Sequence, residues 1–321
     1  MAANIDSMMY YGDTPWHGLG TKIENAATSA EAINAAGLNW EVKLEPVTYG
    51  NDHKVAEGHN VVVRQDNGAA LGVVGNVYHP LQNKDAFSFF DAVVGEKAAM
   101  YHTAGSLGIG EKVWILAKLP GYVRVVGDDI TEKFLLLTNT HDGSGSVKVL
   151  FSPIRVVCQN TLNLAIREAM SSGSKISKVK HSASMGLRVS RIQDDLGIIS
   201  AKFGIFEQMA QRLATVQVTQ TAFADYVKNI GMVEKDLKTT RSQNIMDEVS
   251  ALFEGRQKGG TMPGVKGTAW GAFNAVAEYV DFHRSTRSGS GNNLDTRAQS
   301  ILFGSGAALK QEAWDKALTL A

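Results

Sequence analysis

Asn60–Val74 reads NVVVRQDNGAALGVV. Two β-branched, apolar runs, Asn60 to Arg64 and Ala69 to Val74, flank the turn signal Asp66-Asn67-Gly68, which predicts an antiparallel hairpin. Upstream, Trp40 to Tyr49 (WEVKLEPVTY) alternates as a half-buried strand does. Downstream, a helix is expected from Asn83, with Asn83 as its N-cap and Phe87, Phe90 and Val94 at helical spacing. Strands are then expected at Ala99 to Gly105, Lys112 to Leu119, Lys133 to Asn139 and Ser146 to Phe151. Ser152-Pro153 reads as a helix start, because proline is tolerated in a first helical turn. Hairpins followed by helices, without strict βα alternation, predict an α+β fold: an antiparallel sheet with covering helices.

Past residue 172 the character changes. Ser171 to Ser184 (SSGSKISKVKHSAS) is small, polar and basic, as linkers are. Helical periodicity follows at Met185–Thr215, Gln220–Ile230, Ser242–Gly255, Thr268–Arg284 and Ala307–Leu320, with Lys258–Gly267 as a loop. The expected organisation is an α+β core over 1–172, a basic linker over 173–184 and a mainly α-helical C-terminal half over 185–321.

The 321 residues are formally neutral, with 32 basic and 32 acidic side chains, but the charges are segregated. Residues 1–147 carry net −7 and residues 148–191 net +7, the latter with a single acid, Glu168. One cysteine, Cys158, excludes an intramolecular disulfide framework and a four-thiolate zinc site. The start, MAANIDSMMYYGD, lacks the basic and apolar regions of a secretory signal, and no apolar run approaches the roughly 20 residues of a membrane span. A cytoplasmic setting without membrane contact is expected.

The eight histidines show no metal-binding spacing, and Glu278 and Asp281 near His283 read as a solvated helix face. Neither a metal nor another cofactor is expected. Gly105-x-x-Gly-x-Gly lacks a following helix to receive a pyrophosphate and reads as a hairpin tip. Thr140-His141-Asp142-Gly143-Ser144 pairs two polar titratable groups, although Asp-Gly is also a common turn device.

The basic segment is the sharpest functional feature. Lys148 and Arg155 are followed by Gln159, Asn163 and Arg167, which the predicted helix spaces four apart along one line with Arg155. Lys175, Lys178 and Lys180 continue the charge. Cations interleaved with amides suit phosphate oxygens. Tyr78, Tyr101, Trp114, Tyr122 and Phe151 are the aromatics on or beside the sheet that stacking on bases would use, with Trp114 read as core.

Several stretches carry a family resemblance: Pro15-Trp-His-Gly-Leu-Gly20, Tyr78-His-Pro-Leu-Gln-Asn83, Thr140-His-Asp-Gly-Ser144, Ile154-Arg-Val-Val-Cys-Gln-Asn-Thr-Leu162, and Trp270 with Asn274 and Glu278. In this order they resemble the phage/plasmid-like family built on domain of unknown function 932, which implies a phage, prophage or plasmid gene in a bacterial host. Element order and charge placement also resemble the single-strand annealing proteins of the RecT and Red-beta type. That resemblance implies a homo-oligomer, ring or helical, that binds single-stranded DNA and promotes annealing or recombination without enzymatic turnover. Lys148, Arg155, Gln159, Asn163, Arg167, Lys175, Lys178 and Lys180 are the candidate DNA contacts. Two other readings stand beside it: an interaction or host-takeover protein that binds no nucleic acid, and an enzyme built on the His141-Asp142 loop with Arg155.

Overall fold

A computed structural model describes residues 5–12, 20–24, 28–94, 100–155, 181, 196–285, 297 and 300–320. Among the described residues nine strands form two sheets. The smaller is β3 (Val42–Tyr49), β4 (Lys54–Arg64) and β5 (Ala70–Gly75), antiparallel in chain order. Its β4–β5 hairpin is the one that Asp66-Asn67-Gly68 announces: Gly68 takes φ +72 and Asn67 Oδ1 accepts the Ala69 N–H. A left-handed residue at the turn favours glycine because a Cβ would clash there.

The larger sheet has the order β2-β1-β6-β7-β8-β9. It comprises β1 (Ile5–Tyr11), β2 (Thr21–Ile23), β6 (Met100–Leu107), β7 (Lys112–Val126), β8 (Asp129–Thr140) and β9 (Lys148–Arg155). Among the described strands only β1 and β2 run parallel. Strand β7 outruns its expected end at Leu119: the register shifts between Lys118 and Tyr122, so Pro120 sits in an irregular stretch and pairing resumes beyond it. At Gly105 a Cβ would come within 2.5 Å of Ser7 O and of the Trp114 ring, so glycine lets β1 and Trp114 close on β6.

Ser152-Pro153 does not start a helix. Strand β9 runs through it to Arg155, with Pro153 opposite Lys133. Proline lacks the N–H that a central ladder needs, yet β9 is the last strand of the sheet among the described residues, where that N–H is dispensable. The expected helical line from Arg155 therefore begins on a strand, and its remaining members lie outside the described residues.

Both faces of the large sheet are buried. Val113, Ile115, Leu135, Leu137, Val149 and Phe151 face the main core, while Trp114, Leu116, Phe134 and Leu136 form a second cluster with Met8 and Tyr10. Helix α1 (Ser29–Ala35) is closed by a Thr28–Glu31 capping box, and α2 (Asn83–Val94) follows the second sheet. Asn83 is the first residue of α2, but it is buried and its side chain turns into the core instead of capping the helix.

The C-terminal half is helical: α3 (Leu196–Thr215), α4 (Gln220–Asn229), α5 (Thr240–Ala251), α6 (Ala269–Glu278) and α7 (Ser305–Ala317). Helices α5 and α6 run on into π-helical turns, Leu252–Arg256 and Tyr279–His283. Phe203, Phe206, Ala210 and Leu213 recur at helical spacing on α3 and are buried where it packs on β7 and β9. An aromatic seam crosses the junction: Phe151 meets Phe203 edge-on at 5.4 Å, and Phe206 stacks on Trp314 at 5.4 Å. Glu278 and Asp281, expected on a solvated face, are buried. Glu278 accepts the Lys258 N–H, and Asp281 pairs with Lys310 at 2.7 Å because α7 packs against α6 and its π turn.

Candidate functional site

Two of the sequence motifs meet in a buried polar cluster between the sheets. The segment Tyr78–Asn83 is tied to its surroundings by side-chain bonds. Gln82 exchanges two hydrogen bonds with the backbone of Val42, prolonging β3 as a strand would. Asn83 Nδ2 donates to the Leu38 and Trp40 carbonyls, and Asn139 Nδ2 donates to Leu81 O. At the end of β8, His141 Nε2 lies 3.2 Å from Asn83 Oδ1 and 3.4 Å from Asn139 Nδ2. Its ring packs against Trp40 at 5.4 Å, and Tyr78 OH donates to Thr140 O.

His141 is fully buried, and its pKa is pushed down to about 3, first by burial and then by the neighbouring His181. The ring is therefore neutral at ordinary pH. Among the described residues, five side-chain atoms of the cluster are buried without a hydrogen-bond partner: Trp40 Nε1, Asn139 Oδ1, Thr140 Oγ1, His141 Nδ1 and His181 Nε2. In this arrangement His141 acts as a packing and hydrogen-bonding hub. Asp142 is half-exposed beside it, and its carboxylate accepts the Ser144 N–H in an Asx turn.

His181 belongs to the basic segment, and it is docked. Its ring stacks on Tyr78 at 4.5 Å, its Nδ1 lies 3.1 Å from His79 O, and its carbonyl accepts the His79 N–H. Burial lowers its pKa, opposed by the His79 carbonyl. Its anchoring depends on Tyr78, 103 residues earlier, and leaves no local signal in the sequence.

Of the eight candidate DNA contacts, two are described. Lys148 opens β9 opposite Thr138 and is half-buried; Arg155 ends β9 opposite Thr131. They stand at opposite ends of an eight-residue strand, so the structure does not bring them together. Gln159, Asn163, Arg167, Lys175, Lys178 and Lys180 lie outside the described residues, as does Cys158.

Of the five aromatics, Tyr78, Tyr101, Trp114 and Phe151 are buried, while Tyr122 is 54% exposed. The guanidinium of Arg124, two residues along β7, lies 5.8 Å from the Tyr122 ring centre. Register aligns Val123 with Thr131 and Thr131 with Arg155. Tyr122 and Arg124 therefore flank a position about 10 Å, or two strand spacings, from the residue at which the basic segment leaves the sheet. Arg124 was not singled out in the sequence, because its exposure beside an aromatic depends on how β7 continues past Pro120.

The later motif on α6 is structural. Trp270 is fully buried and donates through Nε1 to Asp129 Oδ2 at 2.7 Å, and Asn274 Nδ2 donates to Trp270 O. Among the described residues no group of three His, Cys, Asp or Glu side chains is placed to hold a metal ion, and no helix is long and apolar enough to cross a membrane.

Fold and site define an α+β protein with an antiparallel sheet, a helical half packed on it, and a buried histidine–asparagine hub. The model of the domain of unknown function DUF932 matches residues 70–302, and the chain belongs to that family. No curated protein and no solved structure matches the chain.

Proposed function

We propose that this protein binds single-stranded DNA as a homo-oligomer and promotes strand annealing or recombination for a phage or plasmid. The observation that carries the reading is the sheet end where the +7 segment departs. In register the Arg155 backbone lies level with Val123, the buried residue between the exposed Tyr122 and Arg124. Single strands are held by a cationic track along the backbone and by rings on which bases stack, and this end offers one exposed ring, Tyr122, with the Arg124 guanidinium beside it. Lys148 and Arg155 bracket β9, and the residues from Gln159 to Lys180 extend the cationic track. The half-exposed Arg124 supplies a further phosphate contact.

The test is fluorescence anisotropy of a labelled single-stranded oligonucleotide against the full chain at low ionic strength. Binding should weaken as salt rises, because neutralised phosphates release counterions. Tyr122→Ala should weaken it by about 1–3 kcal/mol, the usual worth of one base stack, while Tyr122→Phe keeps it. Absence of any salt-dependent signal from the wild-type chain would overturn the reading.

A further inference from the structure

A cavity of about 990 Å³ opens in the helical half, between α5, the π turn after α6 and the first turns of α7. Its walls carry charges of both signs, but the acids are already engaged. Glu248 is bound by Arg256 and by His283 Nδ1 at 3.0 Å, and Glu312 by Lys316 at 3.8 Å. Among the described residues the two arginines have no carboxylate partner. Arg284 lines the cavity with its Nη1 buried and without any hydrogen-bond partner. Arg241, an exposed residue that also lines the cavity, has no carboxylate partner among the described residues. Both lie near Tyr279, whose phenol feels their positive charge against the effect of burial.

A third positive element points the same way. Helix α7 presents its N-terminal turn to the cavity through Ser305, Ala308 and Leu309, and its N-cap, Gly304, makes no side-chain capping bond. The thirteen-residue helix thus brings the partial positive charge of its dipole to the same wall, with its Gly306 N–H donated to Ser300 Oγ. The same cavity is lined by the apolar side chains of Ile230, Met232, Ile245 and Leu309.

Two arginines that line the cavity without a carboxylate partner among the described residues, together with a helix N-terminus, select an anionic head. An apolar lining of this extent selects a ligand with an organic body, and the volume is that of a small-molecule site. We propose that this cavity binds a nucleoside phosphate, with the phosphate held by Arg284, Arg241 and the α7 N-terminus and the nucleoside lying on Ile245 and Leu309. The site is separate from the DNA-binding sheet end and does not depend on it. The same head group is carried by a free nucleotide and by the 5′-phosphate end of a strand.

Thermal unfolding of the full chain, followed with adenosine monophosphate, adenosine and inorganic phosphate at millimolar concentration, tests the proposal. The nucleotide should raise the midpoint by several degrees, adenosine should not, and phosphate should raise it less than the nucleotide does. Arg241→Gln, at an exposed position that leaves the fold intact, should weaken nucleotide binding roughly tenfold or more, the loss of one charge-assisted contact. Arg284→Gln should remove it. Short oligonucleotides with and without a 5′-phosphate distinguish the two sources: stabilisation only by the phosphorylated strand assigns the site to strand ends, and by mononucleotide alone to free nucleotide. No shift with any phosphorylated ligand, an equal shift with inorganic phosphate alone, or an undiminished shift in Arg241→Gln would each overturn the proposal.

Discussion

His141 is buried as a neutral ring, and this makes folding sensitive to acid. Folded, its pKa is about 3; in the unfolded chain it returns to about 6.5. Above that value both states hold the neutral imidazole and its contribution to stability is complete. Between about 6.5 and 3 the unfolded chain takes up a proton that the folded one refuses, so stability falls with pH, by about 2 kcal/mol at pH 5 from this residue. His181, lowered in the same direction, adds to the loss. Denaturant titrations at pH 7 and pH 5 should therefore show a drop in unfolding free energy that shrinks in His141→Gln. An unchanged drop in the variant would mean that His141 does not titrate as its burial requires. The sequence placed His141 in a polar turn and gave no sign of this environment. Its burial follows from Asn83 and Trp40, residues 58 and 101 positions away, and only the packing of the two sheets brings them together.

At the scale of elements, local chemistry was legible where it decides the structure alone. The Asp66-Asn67-Gly68 hairpin is such a case, since one left-handed glycine and one Asx bond set its turn. Strand β1 is the opposite case: Met8, Met9 and Tyr10 are all buried because both faces of the sheet are covered, so no alternation marks it. Ser152-Pro153 misled because helix starts and edge strands accept the same residues. The same limit applies to the basic segment. Its charge is visible in the sequence, but its anchor at His181 is not. If the stack on Tyr78 and the bonds to His79 hold the segment to the core, Tyr78→Ala should speed tryptic cleavage at Lys180 by roughly tenfold, the effect of losing about 1.4 kcal/mol of local stability. Tyr78→Phe, which keeps the ring, should change it little. Equal cleavage in wild type and Tyr78→Ala would remove the anchor from the account.

For the whole molecule, the sheet and the helical half share one buried cluster that runs from Met9 to Trp314. The Trp270–Asp129 bond ties α6 to the β7–β8 turn, so the helical half braces the strands that carry Tyr122 and Arg155. A neutral total charge conceals an uneven arrangement: an acidic region, a +7 band and a balanced helical half. The central claim is that this band is the polyanion contact. The most direct measurement is the salt dependence of single-stranded oligonucleotide affinity for the wild type and for a variant combining Lys175→Glu, Lys178→Glu and Lys180→Glu, with assembly size checked by light scattering. Three lost phosphate contacts should make the slope of log affinity against log salt shallower by about 2 and weaken binding roughly tenfold or more, with assembly size unchanged. Equal affinity and equal slope in the two proteins would contradict the claim.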